Sequence, residues 1–461
     1  MDLKQYHNIF FLGAGGIGMS ALARYFIALG KDVSGYDRTP SELTAQLMEQ
    51  GMAIIFKDEP GLLPERFKEP ANTLIVFTPA VRDENHLLIY FRSNHFTVIK
   101  RSEILGIISS EFATIAVAGT HGKTTVSTMI AHLLNNSSIG CMAILGGISK
   151  NYNSNYLDSG KPKYFVTEAD EFDRSFLRLE PTIEVITSSD ADHLDIYGTE
   201  EILKNSFEAF INNLKEQGLL VIKEGLELNF KCVEPDRVIK YSLTDGEYFA
   251  ENLKSFPGHT TFDMVLPNER MDGLTLGIPG VINVENAVAA SAVALNVGVS
   301  ETELRHGLKS FLGIKRRYEV QFVSDQTVYI DDYAHHPMEI KTLVSSVRSM
   351  FPEKKITGVF QPHLFSRTKD FSAGFAENLD LLDEVIILDI YPAREKPIDG
   401  VTSALIYNQM KMQQKKLCAN ENLISILEKM KPEVLLTIGA GDIDQLVQPI
   451  KLMLQKTSKS G

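Results

Sequence analysis

The residues best placed to do chemistry follow an apolar run, Ala113-Thr-Ile-Ala-Val-Ala118, which ends in Gly119-Thr120-His121-Gly122-Lys123-Thr124-Thr125. Glycines let backbone N–H groups approach an anion, and a helix N-terminus favours negative charge. One lysine and one hydroxyl can then reach phosphate and its Mg²⁺. The pattern predicts a polyphosphate loop between a strand and a helix over 126–134. The loop is shorter than the ordinary nucleotide-binding pattern, because the position that would hold its first glycine is Val117. A glycine turn carrying a solvated lysine is the plain alternative. The ordered succession of strand, glycines, lysine and threonine favours the phosphate loop and a narrow group of ATP-dependent enzymes.

Two acidic clusters follow predicted strands. Glu168-Ala-Asp170-Glu171-Phe-Asp173 follows 164–167, and Asp190-Ala-Asp192-His193-Leu-Asp195 follows 184–187. Open α/β sheets bind ligands at the carboxyl ends of their strands. Carboxylates beside ATP phosphates serve as Mg²⁺ ligands, so two clusters at matching positions read as a metal site rather than as solvated loops. His193 is an unusual ligand for a hard ion, but its place among carboxylates points to metal contact.

An earlier glycine loop, Gly13-Ala-Gly15-Gly16-Ile17-Gly18-Met19-Ser20, follows the strand Ile9-Phe-Phe-Leu12, and Asp37 ends the next strand. This fingerprint suits a nicotinamide dinucleotide, with the acid on a ribose, or equally the diphosphate of a nucleotide sugar. An ATP-type loop about a hundred residues later favours the nucleotide sugar. Asn283 and Asn286, three apart at a helix start, can pair with adenine or can simply cap and coat the helix. Arg316-Arg317 can clamp phosphate or be surface charge. Asp331-Asp332-Tyr-Ala-His335-His336-Pro337 ends a strand and reads as polar substrate contacts rather than a metal site. Gln361-Pro-His363-Leu-Phe-Ser-Arg367 opens a helix, where a guanidinium and the helix N-terminus can hold a carboxylate. Gly439-Ala-Gly441-Asp442 is either a tight turn or a further site.

Strands alternate with helices along almost the whole chain, which predicts α/β sheets. Three domains are expected: a Rossmann-like 1–107, a P-loop-type α/β 108–313 that includes short β segments over 228–280, and a Rossmann-like 314–461. Gly313-Ile-Lys-Arg-Arg317 is a plausible hinge, and closure over substrates is expected. The chain has 461 residues, 44% hydrophobic and 23% charged, with a formal net charge of −13. That balance describes a soluble globular protein and argues against nucleic acid or acidic membranes as partners. Three scattered cysteines and the absence of a long apolar N-terminal segment predict a reducing, cytoplasmic setting.

Taken in order, Gly-x-Gly-Gly-Ile-Gly-Met-Ser, Gly-Thr-His-Gly-Lys-Thr-Thr, Glu-Ala-Asp-Glu, Asp-Ala-Asp-His-Leu-Asp, Asn-x-x-Asn-Ala, Arg-Arg, Asp-Asp-Tyr-Ala-His-His-Pro and Phe-Gln-Pro-His resemble the Mur ligases over essentially the whole chain. The resemblance implies ATP-driven amide formation between the lactyl carboxylate of UDP-N-acetylmuramate and L-alanine, through an acyl phosphate. Its partners are then small molecules, with no nucleic acid and no membrane insertion, and the protein is a monomer or homodimer. It implies catalytic roles for Lys123, Glu168, His193 and Arg317, and Mg²⁺ held by Thr124, Glu168 and His193. ATP would contact Gly119 to Thr125, Asn283, Asn286, Arg317 and Asp332, while the UDP-sugar would contact Gly13, Gly15 to Ser20 and Asp37. The amino acid would meet His336, His363 and Arg367. Two departures stand out: Ile282 replaces the usual histidine before the asparagine pair, and Glu-Ala-Asp-Glu-Phe-Asp-Arg differs from the commoner acidic loop.

Overall fold

A computed structural model describes residues 1–190, 197–256, 258–393 and 395–459, apart from the side chains of Asp173 and Lys459. The chain is α/β throughout, and the described residues fall into two compact units, the second holding most of the chain beyond Gly313.

The first sheet of the larger unit is all parallel, in the order Ala53–Ile55, Asp32–Tyr36, Asn8–Leu12, Thr73–Phe77 and Thr97–Lys100. Its central strand, Asn-Ile-Phe-Phe-Leu, is buried along its full length because helices cover both faces. The second sheet has seven strands. Val238–Tyr241, Leu219–Lys223, Ile183–Ile186, Ala113–Ala118, Tyr164–Glu168 and Cys141–Ser149 run parallel, and Ser154–Asp158 closes the edge antiparallel. The strand into the phosphate loop therefore lies between the strands that carry the two acidic clusters. A three-stranded sheet, Phe249–Phe256, His259–Val265 and Arg270–Leu276, accounts for the short β segments.

The two large sheets share one core. Met142, Ile144 and Phe165 of the second pack in the same apolar cluster as Phe11, Leu22 and Phe26 of the first. The helix Ile17–Ala28 lies on this seam. Arg24 on that helix is buried and donates to Gln46 (2.9 Å), Gln50 (3.1 Å) and the side chain of Asn155. Asn155 in turn donates to the Ile17 carbonyl at 2.7 Å and the Ser20 hydroxyl at 3.0 Å. The N-terminal turn of the first glycine helix is thus pinned to the edge of the second sheet.

The smaller unit contains a six-stranded sheet in the order Glu319–Val323, Val328–Asp332, Val434–Ile438, Ile356–Phe360, Glu384–Ile387 and Lys415–Leu417, parallel except for its first strand. Five strands went unassigned from sequence: Ala53–Ile55, Cys141–Ser149, Ser154–Asp158, Glu319–Val323 and Lys415–Leu417. Four lie at sheet edges, where short or polar segments suffice because one side makes no ladder. No described helix is long and apolar enough to cross a membrane.

One core position breaks the apolar rule. Glu184 is fully buried in the strand Ile183–Ile186, and neither carboxylate oxygen has a hydrogen-bond partner. Its register neighbours Ala116 and Leu220 belong to the cluster of Phe176, Phe207 and Phe210. Burial raises its pKa well above the ordinary 4.5, so the folded protein holds it neutral. Above 4.5 the unfolded chain ionises there while the native state does not, and stability falls as pH rises. Glu184→Met is expected to stabilise the fold by about 1–3 kcal/mol near pH 8. The gain should shrink towards pH 4, where both states are protonated. Melting temperatures of both proteins across that range test this, and a gain independent of pH would contradict it.

Candidate active site

Gly122 caps the helix Lys123–Asn135 at a φ of 85°, a left-handed conformation that suits glycine. Gly119 has a φ of 134°, and a Cβ there would meet the Thr187 hydroxyl at 2.2 Å. The loop is held by the end of the neighbouring strand. The His121 N–H donates to Ser188 Oγ at 2.7 Å, the Thr120 N–H donates to the Ser188 carbonyl at 3.3 Å, and the Thr187 hydroxyl donates to the Ala118 carbonyl at 3.1 Å. Thr124 and Thr125 occupy the first turn of the helix, with Thr124 buried. Asn286 faces this loop, since a Cβ on Gly122 would lie 3.2 Å from its Oδ1. The helix carrying Asn286 starts at Val281. The Asn283 amide donates to the Pro279 carbonyl at 2.6 Å.

Lys123 Nζ donates to the Gly119 carbonyl at 2.6 Å and pairs with both oxygens of Glu171, at 2.9 and 2.8 Å. Glu171 is fully buried. Burial disfavours the ammonium, but Glu171, Asp170 and Glu168 outweigh it and raise the lysine's pKa. The lysine therefore stays charged while mostly shielded from water.

Glu168 is the last residue of the strand Tyr164–Glu168, beside the strand into the phosphate loop. Its carboxylate accepts the Gly146 N–H at 3.1 Å, and a Cβ on Gly146 would stand 2.3 Å from it. Gly146 lies where the register of Cys141–Ser149 against its edge neighbour shifts. A cavity of about 110 Å³ extends from Glu168, Gly146 and Asp170 to Arg101, Ile17 and Gly18. The ends of the second sheet and the start of the first glycine helix thus line one half-open cavity. Asp192, His193 and Asp195 lie outside the described residues, as does the side chain of Asp173. Among the described residues no group of three or more His, Cys, Asp or Glu could hold a metal ion. The hydroxyl of Thr124 and the carboxylate of Glu168 are hard oxygen donors of the kind Mg²⁺ takes.

In the first glycine loop, Gly13 has a φ of 87° and Gly16 caps the helix that holds Ile17, Gly18, Met19 and Ser20. Asp37 accepts the Gly15 N–H at 2.7 Å and the Thr39 N–H at 3.1 Å, so its carboxylate braces the loop.

In the smaller unit, Asp332 accepts the Tyr318 N–H at 2.6 Å and the Ala334 N–H at 2.8 Å. Burial pushes its pKa up to about 6. Arg317 stacks on Tyr333 at 5.5 Å and pairs with Glu339 at 3.5 Å. Arg316 is structural: it pairs with buried Asp331 at 3.2 Å and donates to the Gly439 carbonyl at 2.5 Å. Gly439-Ala-Gly441-Asp442 is likewise a structural turn, tied to Gln361 through Asp442 (2.6 Å) and the Ile443 N–H (2.9 Å). Arg367 lies 3.4 Å from His363 Nδ1, and His335 stands edge-on to His363 at 6.1 Å. His336 stands at the start of the next helix. It caps the helix Pro337–Met350 and packs on Phe371 at 4.9 Å.

Sequence reasoning overlooked Thr187 and Ser188 as supports of the loop, Glu171 as partner of Lys123, Gly146 as the seat of Glu168, and Arg101. The Gly146-Gly147 pair inside an apolar run is a signal of close backbone approach. Arg101 carries no local signal.

Residues 8–113 match the Mur ligase family catalytic domain, 117–294 the Mur ligase middle domain, and 316–441 the Mur ligase glutamate ligase domain. The chain is 49% identical to a UDP-N-acetylmuramate–L-alanine ligase of Phocaeicola vulgatus, covering 99% of this chain and all of that one. Its fold is similar to the crystal structure of a UDP-N-acetylmuramate-alanine ligase from Thermotoga maritima, with a TM-score of 0.82, 28% identity, and coverage of 98% of this chain and 99% of that one. A murein peptide ligase from Psychrobacter arcticus shares the fold at a TM-score of 0.69 and 20% identity, covering 97% and 98%. With all three domains matched in order along a single chain, this protein belongs to the Mur ligase family.

Proposed function

We propose that this chain joins L-alanine to the lactyl carboxylate of UDP-N-acetylmuramate at the expense of ATP, in cytoplasmic synthesis of peptidoglycan precursors. The observation that supports this most is the cavity running from Glu168 to Gly18. It gives the phosphoryl-donor end of the second sheet and the sugar-nucleotide loop of the first a common reaction space. The full-length identity to alanine-adding relatives supports the choice of amino acid.

In the proposed reaction a lactyl oxygen attacks the γ-phosphorus of ATP in line, the bond to the β-phosphate oxygen breaks, and ADP leaves. The uncharged amine of L-alanine then adds to the acyl carbon. The tetrahedral adduct collapses with loss of inorganic phosphate and the amine proton. Lys123 neutralises charge on the transferring phosphoryl oxygens, a role that needs its ammonium fixed beforehand. Thr124, Glu168 and His193 are assigned to Mg²⁺, which when bound supplies charge neutralisation at the phosphates. Gly119 to Thr125, Asn283, Asn286, Arg317 and Asp332 are assigned to ATP, and Gly13, Gly15 to Ser20 and Asp37 to the UDP-sugar. Arg367 and His363 are assigned to the α-carboxylate of the amino acid, with His336 acting through the helix it caps. The domain boundaries we adopt are residues 107 and 313.

The direct test is phosphate release from ATP with UDP-N-acetylmuramate and each candidate amine. L-Alanine is expected to be best, with glycine and L-serine weaker, since one methylene changes discrimination by only about 1–3 kcal/mol. A preference for murein tripeptide over L-alanine would overturn the assignment. Lys123→Ala is expected to lower turnover by about 10²–10³, measured at a temperature where circular dichroism shows the variant folded, since losing the partner of buried Glu171 also weakens the fold. Retention of half the wild-type rate would remove the lysine from the mechanism.

Gly146→Ala tests the seat of Glu168. The added methyl must displace the carboxylate, and the Mg²⁺ concentration for half-maximal activity is expected to rise about tenfold. An unchanged Mg²⁺ titration in a folded variant would show that Glu168 does not depend on this contact.

A further inference from the structure

Arg101 is the first residue of the helix Arg101–Ser110 and is named in none of the motifs above. Its guanidinium enters the cavity between the first glycine helix and Glu168. It lies so close to that helix that a Cβ on Gly18 would stand 2.5 Å from its Nη1. Its ion-pair partner, Asp170, is 3.5 Å away, at the long end of such contacts, and both side chains are partly exposed. The pair therefore contributes little to stability and leaves most of the arginine's donors for another group. Among the described residues that line the cavity, Arg101 is the one cation, facing the acids Glu168 and Asp170.

That arrangement sets a problem for the reaction assigned above. The nucleophile is a carboxylate, and it must enter a space already walled by two carboxylates. Like charges repel at this range, so an entering anion needs a fixed cation opposite them. A cavity of about 110 Å³ exceeds the ~10–15 Å³ that one water requires. It has room for a carboxylate and its immediate neighbours. Arginine presents a planar fork that matches a carboxylate bidentately, which fixes direction as well as charge.

We propose that Arg101 is a substrate-positioning residue whose guanidinium receives the acceptor carboxylate of the sugar nucleotide and aims one oxygen past Glu168 at the phosphoryl group. A side chain at Gly18 would compete with the guanidinium for this space. The proposal rests on the functional reading above. It also separates two anions of one substrate, because the diphosphate belongs to the glycine loop and the carboxylate to Arg101.

The experiment compares UDP-N-acetylmuramate with UDP-N-acetylglucosamine, which carries the same nucleotide diphosphate and lacks the lactyl carboxylate. Binding of each is measured by calorimetry, and KM for UDP-N-acetylmuramate, ATP and L-alanine by phosphate release. Arg101→Ala is expected to weaken UDP-N-acetylmuramate binding about tenfold or more. Its affinity for UDP-N-acetylglucosamine and its KM for ATP should stay within about twofold of wild type. Arg101→Lys should recover part of the loss, because it restores charge but not the fork, and it also serves if the alanine variant is unstable. Equal weakening of both sugar nucleotides would place Arg101 on the diphosphate and overturn the proposal, as would no change in either. Failure of the wild-type protein to bind UDP-N-acetylmuramate would instead reject the functional reading itself.

Discussion

The contact on which the rest of the site depends is the buried pair between Lys123 and Glu171. A lysine able to meet phosphate must be charged, aimed and largely dry, three conditions that work against one another. Shielding alone would strip its proton, and exposure would let its four-carbon stem wander. Here the Gly119 carbonyl and both oxygens of Glu171 hold it, with Glu171 itself out of solvent. Removing one partner of such a pair leaves an uncompensated buried charge, at a cost of about 3–5 kcal/mol. The loop can thus be built with its cation in place before any nucleotide arrives.

The parallel order of the second sheet makes that pair possible. The strands ending at Ala118, Ile186 and Glu168 are immediate neighbours, so the phosphate loop, its Thr187-Ser188 brace and the first acidic cluster emerge side by side. The seam with the first sheet adds the second substrate loop. Asn155 grips the Ile17 carbonyl and Ser20, while Arg24 ties Asn155 to Gln46 and Gln50. These contacts hold the start of the glycine helix against the sheet edge, which gives the cavity between Gly18 and Glu168 defined walls.

Much of this was legible in the sequence because the central strands are buried on both faces. Ile9-Phe-Phe-Leu12, Ala113-Thr-Ile-Ala-Val-Ala118 and Val434-Leu-Leu-Thr-Ile438 have to be continuous apolar runs, and turn glycines mark their ends. What the sequence hid has physical causes. Lys415–Leu417 and Ser154–Asp158 are edge strands, defined by a ladder partner rather than by hydrophobicity. Glu171 looked like one acid of a cluster, and only its burial against Lys123 singles it out. Asp37, expected near a ribose, braces Gly15, and a fingerprint acid does not reveal which neighbour takes its hydrogen bonds. Arg316 and Arg317 are adjacent in sequence and both lie over Tyr333, at 5.2 and 5.5 Å, but they diverge in their ion pairs, Arg316 with buried Asp331 and Arg317 with Glu339.

The central claim is that the acceptor carboxylate itself attacks ATP in the space between the two glycine-loop systems. The most direct measurement follows ¹⁸O from UDP-N-acetylmuramate labelled in its lactyl carboxylate through a complete reaction with ATP and L-alanine. An acyl phosphate requires that one labelled oxygen depart with each phosphate released, the other remaining in the new amide. Phosphate free of ¹⁸O, formed while the amide product accumulates, would contradict the account.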